Sequence, residues 1–247
     1  MGRASLILTF GCLLPAHLAG QSLEHRVANV GSGTVHMSFA AHPGVCSDGI
    51  NNIGTRQEND EWVSDCEGQP VRVALRVQNG RVAAIRTYVG GRWRSRTSAS
   101  DLGTVRTQEA VAYLLKLAAQ PDELSGDPVL PATLADSVTI WPSLLRIARA
   151  TQLPEERRRS AIFWLGQAAG SAAASALDSI AIDQHGSREV RKQAVFALSQ
   201  RPAAEGVPVL IRIARTNRDP EIRRTAIFWL AQSEDPRALD LFEEILR

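Results

Sequence analysis

The sequence predicts an α+β protein, with a small N-terminal β domain followed by a C-terminal α-solenoid of about three and a half helical hairpins. Three observations carry that prediction. Asn79-Gly80 separates two runs, 71–78 and 81–89, in which apolar and polar residues alternate. A ten-residue segment recurs three times in the last hundred residues, with its central alanine at positions 161, 194 and 226. A second apolar pattern recurs between those copies, so each unit reads as a pair of helices.

The chain of 247 residues has room for two domains. At 44% hydrophobic and 22% charged its composition is that of an ordinary globular protein, and a net charge of +2 gives no basis for a nucleic-acid partner. Residues 1–20 read as a secretory signal. Arg3 supplies the positive start, residues 6–14 are apolar, Pro15 breaks the run, and Ala19 and Gly20 offer a cleavage site before Gln21. The run falls short of the ~20 apolar residues that a bilayer crossing takes, and no later segment reaches that length. The expectation is an exported protein, periplasmic or extracellular, without a transmembrane helix. Gly11-Cys12 is a rival lipid-attachment site, but Thr9 and Phe10 fit such a box poorly and the apolar run continues past Cys12.

Beyond the leader stand two cysteines, Cys46 and Cys66. An even count in an exported chain predicts one disulfide, closing a loop of ~20 residues and contributing roughly 3 kcal/mol in the chain-entropy picture. Neither cysteine has a second Cys or His beside it at zinc-site spacing, so no metal and no cofactor is expected.

The β domain spans 21–100. In 34–39, Val35, Met37 and Phe39 point one way and Thr34, His36 and Ser38 the other. Across Asn79-Gly80, which suits a type I′ turn, simple pairing sets Val77 opposite Val82, Leu75 opposite Ala84 and Val71 opposite Tyr88. That register also puts Arg86 opposite Val73 on the apolar face, where it has no explanation. Gly90-Gly91 turns the chain again toward Trp93. The segment between the cysteines is acidic (Asp48, Glu58, Asp60, Glu61, Asp65, Glu67) and reads as a solvated loop, since Asp48-Gly49-Ile50-Asn51-Asn52 does not match a calcium-loop spacing. An alternative function would place an envelope enzyme or a metal or ligand sensor here, around His36, His42 and that loop. The boundary falls near 95–106. Thr107 is placed to cap a helix to about residue 119 with Val111, Leu114, Leu115 and Ala118 as its stripe, and 120–137 reads as linker with one helical turn, so 101–137 is helix and linker.

Residues 138–247 repeat. The copies 158–167, 191–200 and 223–232 share the order basic-x-Ala-x-Phe-x-Leu-x-Gln, and a second helix recurs at 144–149, 176–181, 210–215 and, unpaired, at 238–246. Asp219-Pro220 and Asp235-Pro236 set a capping carboxylate before a proline, Ser187 caps the middle copy, and Leu153-Pro154 keeps only the proline. Ile222 and Val190 hold one apolar position that Arg157 takes in the first copy, which places that copy nearer solvent or lays the arginine stem along the β domain.

The pattern Val/Ile-Arg-x-x-Ala-x-x-x-Leu, as Val190-Arg191…Ala194…Leu198 and Ile222-Arg223…Ala226…Leu230, resembles HEAT repeats, in particular the short type also seen in phycobilisome lyases. The resemblance covers 138–247. It implies a stack of α-hairpins whose second helices line a concave side, and it implies little about function, because solenoids host unrelated activities. In HEAT repeats the arginine often pairs with an Asp ahead of the helix; only Asp219 stands at that place, with Ser187 and Pro154 in the other copies. The fold is also similar to that of deoxyhypusine hydroxylase, but the His-Glu pairs of that enzyme are replaced by Arg159-Ser160, Lys192-Gln193 and Arg224-Thr225, and no lyase residue carries over.

On a helical wheel each copy carries a cation, a ring and an amide at i, i+4 and i+8: Arg159, Phe163, Gln167; Lys192, Phe196, Gln200; Arg224, Phe228, Gln232. Either the three phenylalanines pack between repeats, or they form an aromatic and cationic ladder for a partner protein or peptide. Metalloprotease, nucleophile-elbow, phosphate-loop and dinucleotide motifs are missing, so no catalytic residue is assigned. The expected function is a non-enzymatic interaction or assembly module.

Overall fold

A computed structural model describes residues 21–43, 45, 62–63, 70–94, 98–168 and 171–246; the leader, the Cys46–Cys66 disulfide and the acidic loop expected from the sequence lie outside the described residues. After the short helix α1 (Leu23–Ala28) come β1 (Gly33–Ala40), β2 (Trp62–Val63), β3 (Pro70–Gln78), β4 (Arg81–Val89), β5 (Arg92–Trp93), β6 (Ser100–Thr104) and helix α2 (Thr107–Ala118). The main sheet has the order β4-β3-β1-β6, antiparallel except for the parallel β1–β6 pair, and β2 pairs with β5 apart from it.

Alternation positions one apolar face. Val35, Met37 and Phe39 stand opposite Leu75, Val73 and Val71, and all six are buried. Helices α1 and α2 cover them with Leu23, Val27, Ala110, Val111, Leu114 and Leu117. Two polar contacts tie these helices together: the Leu23 amide donates to Glu109 Oε1 at 2.8 Å, and Lys116 Nζ donates to Glu24 at 2.6 Å. Thr107 does not cap α2 as expected. It is the first helical residue, and the cap position falls on Arg106, whose side chain accepts no cap hydrogen bond and lies 3.7 Å from Glu109.

The hairpin register departs from simple pairing and the departure has a local cause. Asn79 and Gly80 take the positive φ of the turn, and Val77 pairs with Val82, but Arg76 then pairs with Ala84, Leu75 with Ile85 and Val71 with Val89. Ala83 is thus an extra residue in β4, a β-bulge, and from there on the strand presents its other face. Ile85 and Val89 enter the core in place of Ala84 and Tyr88, and Arg86 leaves it, which removes the anomaly of an arginine opposite Val73. Ser125 docks at the bulge: its amide donates to the Ala83 carbonyl at 3.1 Å and its carbonyl accepts from the Ile85 amide at 2.8 Å. Only glycine fits beside it, because a Cβ on Gly126 would lie 2.2 Å from the Ile85 carbonyl oxygen and its φ is +89°.

Residues 120–137 are more than linker. They contain α3 (Val129–Thr133), with Ala132 and Leu134 in the sheet core and Val129 in the helical core. Arg157 donates to the carbonyls of Gln120 and Asp122, so it reaches the segment that follows α2 and not the β domain expected from the sequence.

The rest is a stack of hairpins: α4 (Trp141–Arg149) with α5 (Glu155–Gln167), α6 (Ser171–Ala181) with α7 (Arg188–Ser199), α8 (Ala203–Thr216) with α9 (Pro220–Ala231), and the single α10 (Pro236–Leu246). Leu144, Leu177, Leu210 and Leu241 from the first helices meet Ala161, Ala194, Ala226, Leu165, Leu198 and Leu230 from the second in one continuous core. Asp219 accepts from the Glu221 amide at 2.9 Å and Asp235 from the Arg237 amide at 3.0 Å, while Pro154 is the uncapped residue before α5. A buried polar cluster ties the second copy to the third. Arg191 donates to Asp219 at 3.0 Å, Asn217 Oδ1 at 3.1 Å and the Ala181 carbonyl at 3.2 Å. The Asp of the third copy therefore serves the arginine of the second.

Candidate partner-binding surface

The second helices α5, α7 and α9 stand side by side, so their repeat positions form rows across the stack. The ring row is not uniform. Phe163 is 41% exposed and Phe228 56%, whereas Phe196 is half-buried. The reason is the following residue of the next copy. Phe196 packs at 4.9 Å on Trp229 of α9. The corresponding neighbour of Phe163 is Ala197, which cannot reach it and packs instead where a Cβ on Gly166 would come within 3.0 Å. Each exposed ring meets its own following tryptophan edge-on, Phe163 on Trp164 at 5.1 Å and Phe228 on Trp229 at 5.0 Å.

The amide row, Gln167, Gln200 and Gln232, is exposed at the helix ends. The cation row is charge-compensated. Lys192 donates to Glu189 at 3.4 Å and Arg224 to Glu221, each one helical turn back, and Glu156 precedes Arg159 by the same three residues. Sequence reading picked out the cations and missed the glutamates that travel with them. A shallow groove of about 610 Å³ crosses α5, lined by Arg159, Phe163, Trp164, Glu156, Asp127 and Gln193 of the next copy. Asp127 is fixed there by Ser160 Oγ, which donates to it at 2.7 Å.

His36 and His42, the histidines considered for an N-terminal site, do not share this surface. His36 is buried on the sheet face opposite the helices, its ring stacked on Trp93 at 3.8 Å between centroids and 11° between planes. Tyr88 meets the same Trp93 edge-on at 5.6 Å, and the Arg72 guanidinium lies 5.8 Å from the indole while Nε donates to the carbonyls of Gly90 and Gly91. Burial pushes the Arg72 guanidinium down from its ordinary value, opposed by Asp101. His42 is exposed beyond the end of β1, with Nδ1 3.1 Å from the Pro43 carbonyl. Among the described residues no group of three or more His, Cys, Asp or Glu side chains has a metal-binding arrangement, and no helix is long and apolar enough to cross a membrane.

Compared with known families, residues 179–247 match the model for HEAT repeats, which covers the end of α6, all of α7, the third hairpin and α10. No curated protein and no solved structure matches the chain. HEAT repeats stack into extended surfaces that suit a protein-interaction scaffold, and the helical part of this chain has that construction.

Proposed function

We propose that this protein is an exported, non-catalytic docking module that holds a segment of another protein along the second helices of its HEAT stack. The observation that carries the reading is the exposure of Phe163 and Phe228 at matched repeat positions, Phe163 lining the groove across α5. Aromatic and arginine side chains are what interface centres are built from. Because Glu156, Glu189 and Glu221 accompany the cations, the surface presents paired charges and rings rather than a bare positive stripe. Such a surface suits a mixed apolar and polar peptide better than a polyanion, which binds by neutralising phosphates with uncompensated Lys and Arg. Export and the Cys46–Cys66 bridge belong to the same proposal and rest on the leader and the even cysteine count.

The test is crosslinked capture from an envelope fraction with the double variant Phe163→Ala, Phe228→Ala as control. Capture should be lost while far-UV circular dichroism is unchanged, since both rings are exposed. Undiminished capture by the double variant would refute the surface assignment. Mass spectrometry of the secreted protein should give a chain starting at Gln21 that blocks neither cysteine with alkylating reagent before reduction.

A further inference from the structure

We infer that the groove across α5 takes an arginine or lysine side chain of the docked segment, so that the partner's basic residue sits over the first hairpin and sets the direction in which the segment runs. This rests on the docking reading and adds to it the chemistry and polarity of the partner. Asp127, Glu155 and Glu156 line the groove against one lining cation, Arg159, so its wall carries an excess of two negative charges. The two glutamates open α5, where the helix N-terminus favours negative charge.

Among the described residues none of the three carboxylates is neutralised within the chain. Asp127 accepts from neutral donors, Ser160 Oγ at 2.7 Å and the Val129 amide at 2.8 Å, and Glu155 accepts from Ser187 Oγ at 3.3 Å. Glu156 and Arg159 stand one turn apart without forming an ion pair. The corresponding positions of the later copies differ: Glu189 is held by Lys192 and Glu221 by Arg224. Charge is therefore balanced at these positions of α7 and α9 and left over at α5, which makes the stripe electrostatically directional.

The apolar lining suits the same occupant. Phe163 is exposed and Trp164 half-buried, and their planes meet at 79°, so neither ring covers the face of the other. A guanidinium or ammonium gains from a ring face and from a carboxylate beside it, while its methylene stem covers apolar surface. Among the described residues no three acidic side chains converge as metal ligands, so the cation that fits is one carried on a long side chain.

Panning a displayed library of random peptides of about ten residues, long enough to cross the stack, on the purified protein supplies the probe. Peptides that bind the parent and are lost on Phe163→Ala should be enriched in Arg and Lys over the starting library. In fluorescence anisotropy, changing the basic residue of a selected peptide to glutamine should weaken binding about ten-fold to the parent but at most about two-fold to the double variant Glu155→Gln, Glu156→Gln. Both glutamates are exposed, so the double variant keeps its helix content by circular dichroism. Selected peptides without a basic excess, or a basic residue whose loss costs the same in parent and double variant, would overturn the inference and leave the docking surface standing. Arginine amide competing as tightly as the whole peptide would also overturn it, since the occupant would then be a small cation. Peptide binding indifferent to Phe163→Ala, or no peptide recovered at all, counts against the docking surface and this inference together.

Discussion

Replacing Gly206 by alanine separates two opposed expectations about how the hairpins join. Gly206 lies in the first turns of α8, immediately after the short connection from α7. Helix propensity alone predicts that Gly206→Ala stabilises the protein by about 1 kcal/mol. The packing predicts the reverse. A Cβ at this position would lie 2.2 Å from the Leu198 carbonyl oxygen and 3.3 Å from Arg201 Cβ. The first obstacle is backbone, so relief requires α8 to move off the end of α7 by roughly 1 Å, and overpacking of that kind costs typically ~1–3 kcal/mol, occasionally more. The move also disturbs Arg201, which donates to the carbonyls of Gly166 and Ala168 at the end of α5 and pairs with Glu205. Loss of these buried charge-assisted bonds adds to the cost, so the net expectation is a destabilisation of about 2 kcal/mol despite the propensity gain. For a chain of this size that is a fall in melting temperature of about 4–8 °C, read by far-UV circular dichroism. A variant that melts at the same temperature as the parent, or higher, would refute the close approach of α7 and α8.

Two further outcomes follow from the same structure. Arg237 hydrogen bonds hold the Asp235 carboxyl at about 2. At Asp219 partial burial works upward, but the Glu221 amide and the hydrogen bonds and charges of Arg188 and Arg191 outweigh it and keep the group below the carboxylate range. A depressed folded-state pKa contributes stability that is present above the unfolded value of about 4 and disappears as pH falls through the folded one. The stability gap between the parent and Asp235→Asn should therefore be constant at neutral pH and close between pH ~4 and 2 in acid titrations followed by urea unfolding. Trp229→Ala removes the ring that covers Phe196; with Trp229 half-buried the expected cost is about 2 kcal/mol, below the ~3–5 kcal/mol of a fully buried aromatic, and urea denaturation showing no loss would disprove the contact.

The helical half was legible because repetition multiplies weak signals. One copy with Ala, Leu and a basic residue at helical spacing is ambiguous, but three copies in register, two of them with Ser187 or Asp219-Pro220 ahead, fix the helix starts that those side chains, and Asp235 before α10, then cap. The strands were legible from alternation, and the turn from Asn79-Gly80. What alternation cannot contain is a bulge. The extra residue at Ala83 is stabilised by Ser125, some forty positions away, and nothing between 81 and 89 announces it except an arginine on the wrong face. Short β6 was hidden for a related reason: as an exposed edge strand it has little need of alternating apolar residues.

The candidate site was legible only up to the choice that mattered. Residues 163, 196 and 228 occupy the same position of the same motif, yet their surroundings differ because burial at that position is decided by the next copy. Tryptophan at 229 covers Phe196, alanine at 197 leaves Phe163 open, and no later second helix stands against Phe228 among the described residues. Of the two readings open from sequence, packing between repeats holds for Phe196, while Phe163 and Phe228 stay exposed and open to the contact proposed above. That division constrains what the surface can hold. The two open rings lie two repeats apart, roughly 20 Å at ordinary helix spacing, with a paired-charge step between them. A single inserted side chain cannot bridge that distance; an extended segment of about six residues or a helix laid across the stack can. On the proposed docking reading, the surface therefore calls for a polymeric partner by its spacing as well as by its chemistry, which a reactive pocket has no need to do.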